Sequence, residues 1–368
     1  DDHQLSLTAF GAPQKHNQRK PLYAGLSIEG WNEVAKWTGE KNKYRYNAIY
    51  GFDNNGKERS SMINEYHKPQ ISLNHQWQID YKSSLSTALY VSIGRGSGYS
   101  GQGRTSADRA MWNGSSNGQL LYNFRKTDGT FDYGAIQDMN AASADGSRMV
   151  MSKSLNNHMW YGLLSTYTNE LLPGLELSAG VDVRYYVGEH TNEIIDLYDG
   201  AYFIDDADRK NVKPENNAAA ADPNWKYEKL SVGDIVYRDY DGHVHQEGVF
   251  AQLEYSRNKL SAFVSGSVSN TGYWRVDRFY YDEAHQRSET MNFIGFTAKA
   301  GVNWNVTDRS NLFLNVGYIS RAPFFSGGAF LNSTVSNLIN PEAVNEKVFS
   351  AEIGYGFHNE YVNVAVNG

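Results

Sequence analysis

Aromatic side chains crowd the stretches of this chain that have no regular apolar pattern. Trp112, Tyr133, Trp225, Tyr227, Tyr273, Trp274, Tyr280, Tyr281, Phe324 and Phe325 all fall there. Tyr and Trp offer large contact area at low entropic cost and keep a polar handle, which suits capture of a flat, partly apolar ligand. Trp112, Trp225, Tyr273, Trp274, Phe324 and Phe325 are therefore the expected ligand contacts. The alternative use of such rings is to pack the segments together or to sit in a membrane-interface girdle. Carboxylates form a second group: Asp205, Asp206 and Asp208, then Asp239 and Asp241 before Gly242. Ca²⁺ needs six to eight converging oxygens, but the spacing is not that of an EF-hand, so a solvated acidic segment is expected. His243 and His245 would share a face of an extended segment, which permits a metal pair without a third ligand. Gly96-Ser97-Gly98-Tyr99-Ser100-Gly101 fits G-x-G-x-x-G, yet no amphipathic helix follows it to cradle a phosphate. A flexible loop is expected there. No nucleophile–base arrangement stands out, so neither enzyme activity nor a cofactor is expected, and no metal is assigned.

These segments hang from short amphipathic runs. Eleven runs read as strands: 4–10, 71–79, 84–94, 158–168, 175–187, 247–257, 260–269, 291–304, 311–319, 346–355 and 361–367. The clearest is Leu175–Val187. Leu175, Leu177, Ala179, Val181, Val183, Tyr185 and Val187 fall on one face, and Glu176, Ser178, Gly180, Asp182, Arg184 and Tyr186 on the other. At thirteen residues it exceeds the ordinary strand and approaches the roughly 9–11 residues that cross a bilayer at a tilt. The second face of the set carries Glu176, Asp182, Arg184, Glu254, Lys299 and Glu352 among small residues, which predicts a wet or plugged lumen. Between the runs, tight connections (80–83, 169–174, 258–259, 305–310, 356–360) alternate with long ones (11–70, 95–157, 188–246, 270–290, 320–345). Strands that go up and down through a membrane produce that order, with short turns at one end and large loops at the other. The predicted fold is an all-β antiparallel transmembrane β-barrel.

Composition permits this reading. The chain has 368 residues, 40% of them hydrophobic, 20% charged, with net charge −7 and mean hydropathy −0.59. No stretch approaches the roughly 20 apolar residues of a transmembrane helix, but a barrel shows lipid only alternate residues. Tyrosine is abundant (26) and aromatics reach 14%, which suits interfacial girdles and also carbohydrate-binding β proteins. Absence of cysteine removes disulfide and thiolate chemistry. The mild acidity leaves no basic stripe to displace counterions from nucleic acid. A propeller would repeat with a period of about 40–50 residues, and no such repeat is present.

Two late motifs add a family. Ser320-Arg321-Ala322-Pro323-Phe324-Phe325 precedes Asn340-Pro341-Glu342-Ala343-Val344-Asn345-Glu346-Lys347, and the strand Val348–Tyr355 follows with Glu352, Gly354 and Tyr355. Together they resemble the SR-x-P-x-F and NP…EK…E-x-G-Y stretch of TonB-dependent outer-membrane receptors, with Val344 and Asn345 where the family usually has leucine and proline. Thr8–Arg19 and Tyr66–Trp77 resemble receptors of this kind from Bacteroidetes-type bacteria. The resemblance implies a barrel of about 22 strands occluded by a plug. Eleven strands would make about half of that wall, with the plug and remaining strands outside residues 1–368. It further implies active uptake of a scarce ligand across the bacterial outer membrane, driven by TonB through the plug. A ferric siderophore or other metal complex leads among ligands, followed by a cofactor or glycan. Outer-membrane lipid is an implied partner, and a surface lipoprotein a further candidate. The polar face would hold the plug by polar contacts. Two other classes share parts of the pattern: a passive porin or adhesive barrel, and a soluble carbohydrate-binding β protein.

Overall fold

The computed structural model describes residues 2–19, 25–332 and 334–368. All eleven expected strands are present, joined edge to edge in chain order. They are β1 (His3–Phe10), β2 (Gln70–Gln78), β3 (Ser83–Gly103), β4 (Met149–Leu172), β5 (Leu175–Asp196) and β6 (Ile235–Arg257). The set continues with β7 (Leu260–Asp277), β8 (Met291–Thr307), β9 (Ser310–Arg321), β10 (Glu346–His358) and β11 (Asn363–Asn367). Every neighbouring pair is antiparallel. Two short strands, Gln14–Asn17 and Ile63–His67, prolong β1 and β2 and bring the sheet to thirteen strands. The sheet is a barrel wall that does not close on itself: β1 and β11 are its two ends.

Pairing places like with like. Leu175, Leu177, Ala179 and Val181 face Tyr255, Leu253, Ala251 and Val249 across the β5–β6 ladder. Val264, Val268, Val302, Leu314 and Ile353 continue the apolar face and are 39–61% exposed. That much bare hydrocarbon on one face requires an apolar solvent. From Leu175 to Val187 is about 40 Å along the strand, or about 30 Å of membrane height at the usual barrel tilt of about 40°. Aromatic side chains bound this band. Tyr255, Trp304 and Tyr355 lie near the tight turns, and Tyr161, Tyr185 and Trp274 near the long connections. On the opposite face, rings lie flat on glycines of the next strand. A Cβ on Gly301 would stand 2.3 Å from the Phe263 ring, and one on Gly354 would stand 2.2 Å from Phe313. Glycine there lets an aromatic ring cover the neighbouring backbone.

Tight turns fall where expected, and Asn258 takes a positive φ of 56° in the two-residue turn after β6. The other ends of the strands depart from expectation. β4 starts at Met149 rather than 158, and β6 starts at Ile235 rather than 247. Above the apolar band the outer face no longer meets lipid: Met149 and Met151 pack into the cap and Asp239 and Asp241 are polar, so the alternating hydrocarbon stops while the backbone ladder continues. The G-x-G-x-x-G segment is likewise not a flexible loop. It lies inside β3, paired with β4, and its glycines admit close neighbours: a Cβ on Gly101 would meet the Trp112 ring at 2.2 Å.

The long connections fold into a cap. They contain α1 (Ile28–Thr38), α2 (Ser106–Met111), α3 (Tyr133–Ala141) and α4 (Asp206–Arg209). Ser27 caps α1 by accepting from the Gly30 amide, and Asp132 caps α3 by accepting from that of Ala135. Four apolar clusters hold the cap: one around Phe131, Tyr133, Ile136 and Met149, one around Ile194, Phe203 and Leu230, one around Val212, Phe279 and Tyr280, and one around Phe293 and Phe330. Buried hydrophobic core thus sits above the wall, while within the membrane band the wall leaves its apolar residues to the lipid.

Candidate functional site

The expected ligand aromatics separate into five environments. Trp112 is 3% exposed and belongs to the first cap core, its indole N–H donating to the Gln102 carbonyl at 2.9 Å. Trp225 is half-buried against the third core, with the Arg209 guanidinium 4.6 Å over its ring. Tyr273 and Phe325 pack on the fourth core, ring centroids 5.5 Å apart, and the Tyr273 hydroxyl donates to the Pro323 carbonyl. Trp274 points to the outer face, stacked 4.9 Å from His243, whose Nδ1 lies 2.7 Å from the Tyr185 hydroxyl. Phe324 is the open one, 67% exposed, with Arg321 5.7 Å above its ring. Only Tyr273 and Phe325 are brought together.

The acidic segment is not solvated. Asp205 is 1% and Asp208 6% exposed. Asp208 receives the Arg109 guanidinium, and Asp205 accepts from the Tyr237 amide at 3.1 Å. Burial, reinforced by the neighbouring charge of Asp208, pushes the Asp205 carboxyl up to about 8. Tyr237, with φ of 68°, holds a left-handed conformation unusual for a side chain of its size, and its bond to Asp205 helps fix it. Asp239 and Asp241 clamp Arg278 through four hydrogen bonds of 2.8–3.2 Å. His243 and His245 share a face of β6, but each has its own partner, Tyr185 for the first and Glu247 for the second. Among the described residues no group of three or more His, Asp or Glu is arranged to hold a metal ion.

The expected lumen charges all lie on the polar face. Glu176 stands opposite Glu254 on one side and Glu170 on the other. Asp182 and Arg184, two residues apart on β5, pair at 2.9 Å. The Lys299 stem passes over Gly317, and Glu352 accepts from Asn315 at 3.4 Å. Like charges directly opposite repel, so the Glu170–Glu176–Glu254 row is a surface that favours a cationic neighbour.

Higher on the same face, under the cap, lies a cluster that the sequence pattern did not single out. Tyr90 meets Trp160 edge-on at 5.6 Å, and His158 stacks on Tyr186 at 5.9 Å. His190 stacks on Tyr240 at 4.9 Å, while Arg275 lies 4.4 Å over the Tyr240 ring. Arg238 donates to the Ser154 hydroxyl at 2.7 Å. The Trp160 indole N–H is buried and has no hydrogen-bond partner among the described residues. Arg275 is fully buried on its ion pair with Asp277 and Tyr240 is buried beside it, so the half-buried rings Tyr90, His158, Trp160 and Tyr186 are the part that suits a flat ligand. The available signal was the occurrence of aromatics at even positions of otherwise polar strand faces.

No family model matches the sequence, and no curated protein does. Among solved structures the chain is similar to the ferric-catecholate import receptor Fiu from E. coli K12 in its closed form. The TM-score is 0.52 at 10% identity, covering 97% of this chain and 46% of that one. The FrpB iron transporter from Neisseria meningitidis (F5-1 variant) gives 0.52 at 10% identity, with coverage of 100% and 42%. Its F3-3 variant gives 0.50 at 12%, with coverage of 98% and 40%. The chain therefore spans less than half the length of these structures. At such identities the likeness establishes fold: the sheet is the wall of an antiparallel transmembrane β-barrel.

Proposed function

We propose that this chain is part of a bacterial outer-membrane transporter that takes up a scarce metal complex, a ferric siderophore foremost, driven by TonB through a plug. The observation that carries the reading is the two-sided wall. Its outer face is bare hydrocarbon between aromatic girdles, its inner face is polar, and a folded cap stands over one end only. The late SR-x-P-x-F and NP…EK motifs and the likeness in fold to iron import receptors support the same choice. On this reading the cap and the ring cluster around Trp160 and Tyr186 sample the ligand. The Asp182–Arg184 pair and the glutamate row face the plug, and Phe324 is the exposed aromatic contact.

The test is uptake of radiolabelled iron by cells whose only receptor is the complete product of this gene, with and without TonB. Saturable, TonB-dependent uptake of one siderophore class is the expected result. Free diffusion of small sugars independent of TonB would replace the reading with a passive porin.

A further inference from the structure

Two cavities stack on the outer face of β3, β4 and β5, one above the other along the same strands. The lower, of about 620 Å³, is lined by hydrocarbon from Ile71, Leu73, Leu89, Val91, Leu163 and Val183. The upper, of about 830 Å³, takes Ile93, Leu155 and Met159 as its apolar part and adds Lys15, Arg95 and Lys153. Side chains two apart on a strand share a face, so β3 runs Leu89, Val91, Ile93, Arg95 from one cavity into the next. Val91 to Arg95 spans about 13 Å. The transition falls where the apolar band of the outer face ends.

The upper cavity is polar in a particular way. Glu65 lies between Lys15 and Lys153, at 3.7 and 3.8 Å, long and half-exposed pairs of little energetic weight. Glu189 accepts from the Asn157 amide at 3.4 Å. Arg95 is exposed and has neither ion pair nor hydrogen bond among the described residues. Three cations thus meet two carboxylates here, in a chain whose net charge is −7. A soluble anion would have no use for the hydrocarbon groove below, and an apolar partner would have none for Arg95. A membrane lipid uses both.

We propose that this face seats a lipid bearing a phosphate headgroup, from the leaflet on the cap side. Its acyl chains lie in the Leu89–Val91–Leu163 groove, and its phosphate sits on Arg95 between Lys15 and Lys153. The site is on the outside of the wall and serves to anchor the barrel in its leaflet, independently of what passes through the lumen.

The experiment measures binding of purified lipid A to the detergent-solubilised complete gene product by native mass spectrometry. Comparison lipids are dephosphorylated lipid A and phosphatidylcholine. A basic residue near a lipid surface is worth about fivefold in affinity, so the double substitution R95A/K153A is expected to weaken lipid A about 30-fold, while R95K retains most of it. Resistance of the band to unfolding in cold SDS shows whether each variant is folded. TonB-dependent uptake by the variant remains a separate readout, so failure here leaves the transport reading standing. Equal binding of the phosphorylated and dephosphorylated lipids would overturn the proposal. Unchanged affinity in the folded double variant, or full displacement by millimolar inorganic phosphate, would do so as well.

Discussion

Asp205 gives the cap a pH dependence of predictable sign. Its carboxyl is buried beside Asp208, and the folded protein holds its proton up to about pH 8. The unfolded chain releases it near 3.8. Between these values the folded state binds more protons than the unfolded one, so stability falls as pH rises through the window. The slope cannot exceed about 1.4 kcal/mol per pH unit for one group. Between pH 6 and pH 8 the cap should therefore lose on the order of 2 kcal/mol. The groups facing Asp205 (Asp208, Arg109 and Tyr280) are all charged or titratable, and the Tyr237 amide opposes the shift. Asp205→Asn keeps the acceptor for Tyr237 and supplies an N–H toward Asp208, imitating the protonated acid. It should be nearly neutral at pH 6 and should flatten the slope. Asp208→Asn instead strips Arg109 of its carboxylate and should cost about 2 kcal/mol at pH 6, less than a fully buried pair because Arg109 is a third exposed. Hydrogen exchange of peptides covering 203–212 and 234–240, corrected for intrinsic rate, reads both effects. Wild-type protection that is the same at pH 6 and pH 8.5, or D205N as damaging as D208N, would refute the reasoning.

Four further outcomes follow from packing and exposure. Gly51→Ala places a Cβ 1.8 Å from the Phe131 carbonyl oxygen, and overpacking of this kind should cost on the order of 2 kcal/mol or more, seen as faster exchange over 50–60 and 131–141. Phe330→Ala empties the centre of the fourth core, where the ring is fully buried. It should cost about 3–5 kcal/mol and expose 320–345 to proteolysis while the apolar band of the wall stays protected. Phe324→Ala should lower ligand affinity with cap protection unchanged, since its ring is two-thirds exposed. Trp112→Ala should reduce uptake only in proportion to the cap it unfolds. Uptake measured beside exchange in the same preparations separates the two.

The wall was legible because lipid on one face and a wet lumen on the other force a period of two on every strand. All eleven runs and the tight turns between them could be read that way. Legibility ended where lipid ends. Met149–Asn157 and Ile235–Gln246 lie above the lipid, where the cap buries Met149 to Met151 and Val236 and polar residues take the other positions, so their hydrocarbon no longer alternates. The cap was hidden for a different reason. Its cores join residues far apart in sequence, as where the Tyr133 hydroxyl donates to the Ile49 carbonyl across 84 positions, and α2, α3 and α4 are too short for a strong helical period. The aromatic residues were recognisable as a class, but direction was not. Tyr273 and Trp274 are consecutive on β7, so one turns into the fourth core and the other out to the girdle.

That division has a consequence for where ligand chemistry can reside. An aromatic residue in the cap is drawn first to the cap's own cores, because burial of a ring is worth more than its exposure to an occasional ligand. Trp112, Tyr273 and Phe325 all follow that preference. Rings left free to meet a ligand are those that a strand holds on the polar face below the reach of the cap's cores, which do claim Tyr273 at the cap end of β7. Tyr90, Trp160 and Tyr186 occupy such positions, and the Trp160 indole N–H, unpartnered among the described residues, is a donor that the wall itself does not satisfy. On the proposed transport reading, the wall beneath the cap is thus better placed than the cap's tryptophans to meet a ligand, with Phe324 as the exception that stays exposed.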